Sequence, residues 1–250
     1  MLLAFDIGNT KVKIAIYDGN EQITFGIYSK DEFSSSRDIL SLTTRNNLRY
    51  DQINKIIIAS VVPSITKELV EYIKNNFKLE PIVIDNNTPL SIKIDEDFKE
   101  DIGPDILVMS SYAYSMYKDE CLIISLGTAT VFSYVNENGV LKGCAIAPGF
   151  KTFSSSLSKN STLLPEFTPE YKEEFLATNT KDAMSIGSYN GFIGMINEIV
   201  RNIRKQYCYA PKIILCGGHS EKIKDHIYDI DHQEKDFVIS GLNYIARNNV

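Results

Sequence analysis

This chain writes one pattern twice, and that repetition constrains its fold more than any single motif. An apolar run at residues 2–7 ends in Gly8-Asn9-Thr10. Residues 11–17 alternate, with Val12, Ile14 and Ile16 on one face; Asp18-Gly19-Asn20 marks a tight hairpin, and 22–28 reads as a third strand. The pattern restarts at 121–126, an apolar run ending in Gly127-Thr128. Strand 129–135, the turn Asn136-Glu137-Asn138-Gly139 and strand 140–147 follow. Gly8 corresponds to Gly127 and Gly19 to Gly139, at offsets of 119 and 120 residues. Each half later carries a lysine-led buried strand, KIII at 55–58 and KIIL at 212–215. Element order rather than residue identity makes this an internal duplication. The expectation is an α/β chain of two units, 1–117 and 118–250, with each Gly-rich turn pointing into a cleft between them.

Helical signals sit between the strands. Pro63 stops the first KIII strand, Ser64 is the expected N-cap, and Ile65, Leu69, Val70 and Ile73 form a stripe. A polar, partly helical stretch covers 29–50, with 34–47 a solvated helix and loop; 81–84 is a short strand, 181–206 a long helix, and 158–169 a loop or insertion.

Several function classes drop out on composition. The net charge is −6, which disfavours a nucleic-acid partner. No run approaches the roughly 18 apolar residues of a membrane span. The first residues carry no basic region and reach Asp6, so no signal peptide is expected and the location is read as cytoplasmic. Cys121, Cys144, Cys208 and Cys216 show no CxxC spacing, and the first two and the last lie in apolar runs, which predicts buried free thiols. His219, His226 and His232 have no zinc-ligand spacing.

The chemistry-bearing candidates are the two turns. Asp6-Ile7-Gly8-Asn9-Thr10 sets a carboxylate at a strand end, then a residue without Cβ, then two small polar residues. Gly8 lets backbone approach phosphate oxygens, and Asp6 can hold Mg²⁺ directly or through water. Gly127-Thr128-Ala129-Thr130 repeats the logic with hydroxyls. Each turn, taken alone, also serves simply to end a strand. No GxxxxGK[ST] is present, which argues against a P-loop. Gly103-Pro104-Asp105 before Ile106, Leu107 and Val108 has the form of a helix start, where an aspartate favours the N-terminus. Thr180 has the form of an N-cap.

Together these segments resemble the type III pantothenate kinases of the actin-like ATPase superfamily. The resemblance runs through DIGNT at 6–10, ASVVP at 59–63, GPDI at 103–106, LGTATVF at 126–132 and GCAIAPGF at 143–150. It continues through Leu157, Leu164-Pro165, NTKDAMSIGSYNGFIG at 179–194, CGGHS at 216–220 and the closing DFVISGLNYIARNN. It implies two duplicated RNase H-like halves with ATP between them, and phosphorylation of pantothenate to 4′-phosphopantothenate, the first step of coenzyme A synthesis. Asp6 would orient Mg²⁺ and phosphates; Gly8, Asn9 and Thr10 would line the phosphate loop; Gly127 and Thr128 would meet ATP. Asp105 would be the general base. Gly103, Pro104 and Asp105 would contact pantothenate, and Thr180 would reach it across a homodimer interface.

Two positions depart from the family. Residue 106 is Ile where the family has Arg, a planar fork suited to a carboxylate. Residue 125 is Ser where the family has Asp, which helps hold a monovalent cation, K⁺ or NH₄⁺. Three readings follow: an active, divergent kinase of pantothenate; a kinase of a non-carboxylate pantothenate analogue; and a degenerate paralogue that only binds nucleotide or metabolite. Asp6 and Asp105 are both present, which favours the first.

Overall fold

The computed structural model describes residues 1–98, 102–159, 164–207 and 210–248. Contacts gather into two compact units: Met1–Lys118 with Val135–Lys142 and Asp236–Val250, and Asp119–Tyr134 with Gly143–Lys235. The expected single cut at 117/118 falls beside the first of these boundaries. The tip of the second hairpin and the last helix belong by packing to the first unit.

In the first unit, β1 (Leu2–Ile7), β2 (Lys11–Asp18) and β3 (Glu21–Ser29) form an antiparallel meander, and β4 (Lys55–Ser60) and β5 (Ile82–Val83) add in parallel. The order is β3-β2-β1-β4-β5. The central strands read as near-continuous apolar runs because both faces are covered. On one face α1 (Ser35–Arg45) and α2 (Pro63–Phe77) bury Ile39, Leu42, Leu69 and Ile73 against Leu3, Phe5, Ile14 and Ile58. The 34–47 stretch is therefore half core: Asp38 and Thr43 are buried with Ile39 and Leu42. α2 starts two residues earlier than a Ser64 cap would place it. Val62 is the N-cap and Pro63 the first helical residue, its fixed φ already suited to that turn.

The other face belongs to α3 (Pro104–Tyr117) and α7 (Phe237–Asn248), which pack on each other and on β4, α7 also reaching β1 and β2. Gly241 makes the helix crossing possible: a Cβ there would lie 2.7 Å from Val108 Cγ1. Between β5 and α3 the short β6 (Lys93–Ile94) pairs in parallel with Val140 and Leu141 of the hairpin tip.

The second unit repeats the plan. β7 (Cys121–Leu126) leads into β8 (Ala129–Val135) and β9 (Val140–Pro148). β10 (Lys212–Cys216) and β11 (His232–Glu234) lie in parallel beyond β7, giving β11-β10-β7-β8-β9. Reversed, that is the first sheet's order. Even the register agrees, since Lys55 faces Leu2 and Lys212 faces Cys121. α4 (Phe150–Lys159), which the sequence did not announce, and α5 (Thr180–Tyr207) cover this sheet. α5 buries Tyr189, Phe192, Ile196 and Val200 at helical spacing against Leu122, Ile124, Ile213 and Leu215. The single-turn α6 (Ser220–Ile223) follows β10.

One expectation about cysteines needs correction. Cys121 and Cys216 are buried, but Cys144 is exposed. Beyond Leu141 the strand has no neighbour on its outer side among the described residues, so Cys144 and Ile146 stay exposed despite an apolar surrounding sequence. Cys208 and part of the 158–169 loop lie outside the described residues.

Candidate active site

Alternation along β1 decides where its carboxylate goes. Leu3, Phe5 and Ile7 face α1 and α2, so Asp6 joins Leu2 and Ala4 on the face that α3 and α7 cover. Directly opposite Asp6 in the antiparallel register is Lys13. Its Nζ lies 3.3 Å from Asp6 Oδ2 and 3.2 Å from Oδ1 of Asp236, the residue preceding α7. The side chains of Asp6, Lys13 and Asp236 are 14%, 19% and 27% exposed. Burial raises the Asp6 pKa, Lys13 opposes that rise, and Asp236 adds to it. For Lys13, burial would favour the neutral amine, but the two carboxylates outweigh it and its pKa is raised.

Asp105 reaches the same neighbourhood from α3. Gly103 is the N-cap, Pro104 the first residue and Asp105 the second. Its pKa is raised, first by burial and then by the charge of Asp6, against the pull of the backbone N–H groups of Ile106 and of Asp105 itself. The carboxylate folds back over Gly103, where a Cβ would stand 2.7 Å from Asp105 Oδ1. Asp105 does occupy a helix start, as its sequence context suggests. A plain helix-capping aspartate in water would have its pKa lowered by the dipole; this one is pushed the other way. Ile106 turns inward and is 7% exposed.

The loop between β1 and β2 is short and closed: Gly8 N–H donates to Lys11 O at 2.9 Å. Asn9 and Thr10 are exposed on it. In the second unit the equivalent turn is closed by Gly127 N–H to Ala129 O at 3.0 Å, with Thr128 exposed. Glycines crowd around it. A Cβ on Gly149 would collide with the carbonyls of Gly127 and Thr128, and one on Gly217, whose φ is +92°, would lie 2.6 Å from Leu126 O. Ser125 is partly buried on β7, opposite Cys216. Thr180 is exposed as the first residue of α5 and is not its cap. Asn179 has that role, its Oδ1 accepting the Asp182 N–H at 2.9 Å.

In the first unit Asp105 feels the charge of Asp6, and Lys13 and Asp236 lie beside Asp6. No group of three or more His, Cys, Asp and Glu among the described residues is arranged to hold a metal by itself. Mg²⁺ keeps most of its waters and is bound by one or two carboxylates plus substrate phosphates. Asp6, a largely buried carboxylate at a strand end beside a loop that lacks a Cβ at Gly8, is a residue type that fits such a cation and its nucleotide.

The family model for type III pantothenate kinase matches residues 2–202. The chain belongs to the type III pantothenate kinase family. A type III pantothenate kinase of Ehrlichia canis is 34% identical, covering 98% of this chain and 95% of its own. One from Dehalococcoides mccartyi strain CBDB1 is 31% identical, covering 99% and 96%. A structure from Sinorhizobium meliloti, assigned as a 2-dehydro-3-deoxygalactonokinase, shares the fold with a TM-score of 0.62 at 12% identity, over 99% of this chain and 98% of that one. The architecture is accordingly the two-unit actin-like ATPase fold.

In this pantothenate kinase chain the sequence reading passed over Lys13 and Asp236. Lys13 could have been found by counting across the hairpin, since a two-strand register through Ile7 and Val12 sets it opposite Asp6. Nothing local marks Asp236, which the fold brings in from the far end of the chain.

Proposed function

We propose that the chain transfers the γ-phosphoryl group of ATP to the primary hydroxyl of pantothenate, giving ADP and 4′-phosphopantothenate, the first committed chemistry of coenzyme A synthesis. The carrying observation is the pair Asp6 and Asp105, delivered from a strand end and a helix start into one buried neighbourhood, in a chain of the pantothenate kinase family. Asp105 is the general base. Its raised pKa makes it a better proton acceptor than an ordinary carboxylate, and a late proton transfer suffices when the transition state is loose. The hydroxyl oxygen bonds to phosphorus as its proton passes to Asp105 and ADP departs. Asp6 orients the hydrated Mg²⁺, with Gly8, Asn9 and Thr10 as the phosphate loop. When bound, Mg²⁺·ATP supplies the transferable group and neutralises charge on it. Gly127 and Thr128 form the second phosphate turn, Gly103, Pro104 and Asp105 meet pantothenate, and Thr180 acts from the partner of a homodimer. The halves 1–117 and 118–250 are the two copies of the duplication. No described helix is long and apolar enough to cross a membrane, and a cytoplasmic location fits the coenzyme A reading.

Ser125 offers a neutral oxygen at the family's monovalent-cation position, so replacing K⁺ by Na⁺ at constant ionic strength is expected to leave turnover unchanged. A second reading rests on Ile106, which presents a buried alkyl group beside the base. It favours an acceptor without a carboxylate, such as pantetheine, or retention of binding alone.

A coupled assay with pantothenate, ATP and Mg²⁺ tests this. Turnover abolished by Asp105→Asn, with nucleotide binding intact by calorimetry, is the expected result. Turnover appearing only in an Ile106→Arg/Ser125→Asp chain, or only with pantetheine, would favour the second reading.

A further inference from the structure

One carboxylate oxygen of Asp236 has a place that helix capping does not explain. The residue directly precedes α7, where an aspartate ordinarily turns an oxygen to the N–H two or three residues on. Its Oδ1 is buried, accepts no backbone N–H, and sits 3.2 Å from Lys13 Nζ. The Asp236 carbonyl makes the first bonds of the helix, taking the N–H of Ile239 at 2.9 Å and of Ser240 at 3.3 Å. Lys13 is therefore gripped by two carboxylates from opposite ends of the chain, Asp6 on β1 and Asp236 before α7. Charge explains why two are useful. Asp6 and Lys13 alone cancel, and a cancelled pair has little attraction for a divalent cation; with Asp236 the trio keeps a net negative charge. The ammonium stands 3.3 Å from Asp6 Oδ2 and 3.2 Å from Asp236 Oδ1, so its charge is divided between two carboxylates rather than spent on one.

We propose that Asp236 is a positioning residue for the metal–nucleotide site: it shares the Lys13 ammonium with Asp6, leaving Asp6 negative charge for the hydrated cation of a nucleoside triphosphate. The inference rests on the nucleotide reading above. It goes further in assigning to α7 a part in metal–nucleotide affinity, and in making Lys13 a shared rather than a private partner of Asp6.

The test uses the full chain and its Asp236→Asn, Asp236→Ser and Asp236→Glu variants. Asn and Ser are both good N-caps, so they remove charge while keeping the helix start. Calorimetric titration with a non-hydrolysable ATP analogue is run with Mg²⁺ and again in EDTA, beside thermal melts and steady-state kinetics. Asn and Ser are expected to weaken the Mg²⁺ complex about tenfold, the scale of one charge-assisted contact. They are expected to leave metal-free nucleotide binding unchanged or tighter, and to raise KM for Mg²⁺·ATP more than they lower kcat. Glu should recover most of the loss. Asn and Ser variants that bind Mg²⁺·nucleotide like the parent overturn the proposal. So does an equal loss with and without Mg²⁺ that Glu does not rescue, which is the mark of a structural cap. A parent that takes up neither form overturns the nucleotide reading, and this inference falls with it.

Discussion

The raised pKa that suits Asp105 to the proposed role of base is a cost to the fold. The folded pKa of Asp105 lies above its ordinary value near 3.8. The native state therefore holds the proton more tightly than the unfolded chain, and stability falls as pH rises from the ordinary value through the raised one. Above that window the penalty is constant. Asp105→Asn is accordingly expected to raise the melting temperature at pH 7 and to lose that advantage below about pH 4, where both chains are neutral at this position. Melts of parent and variant across that range check it. Turnover should show the converse, falling as the pH drops through the raised Asp105 pKa. Gly103 gives a second expectation at this scale. Its missing Cβ leaves room for Asp105 Oδ1 at 2.7 Å. The cheapest relief for Gly103→Ala is to swing the carboxylate away, so kcat should fall sharply while the denaturation midpoint barely moves. Equal losses of stability and turnover would argue that the loop itself, and not the base, had been displaced.

Elements were legible where a local rule acts alone. The hairpins at Gly19 and Gly139 came through because both residues take positive φ, at 60° and 73°. The buried strands KIII and KIIL came through because their runs are short and apolar. Residues 150–159 did not: Phe150, Phe153 and Leu157 stand at helical spacing, but the four serines among them favour caps and turns over helix interiors. Cys144 misled for the complementary reason: burial of a strand depends on what covers it, which a sequence run does not contain. The α3–α7 crossing shows the same dependence. Val108 Cγ1, Tyr112 Cβ and the Val108 carbonyl stand 2.7, 3.2 and 3.3 Å from where a Gly241 Cβ would be. Gly241→Val is expected to cost about 1–3 kcal/mol through overpacking, read by urea denaturation. A neutral result would mean that the helices separate freely.

At the scale of the whole molecule, the C-terminal helix matters more than its place in the sequence suggests. Phe237, Ile239, Leu242 and Ile245 are each essentially inaccessible, and each such side chain is worth about 1.5–3 kcal/mol of burial. A chain ending at Lys235 should therefore lose the native first unit, with raised protease sensitivity in residues 1–118; a truncated chain with parental circular dichroism and protease resistance would contradict this. The sequence by itself determined the duplication, the succession of elements along each half, the two Gly turns and the family, because these follow from short-range patterns and from motifs read in order. Only the tertiary structure decided which charges meet. Alternation and register set Asp6 opposite Lys13, a helix start puts Asp105 within the field of Asp6, and the returning α7 brings Asp236 to Lys13 across 223 residues of chain. Electrostatic coupling depends on distance through space, and distance along the chain does not report it.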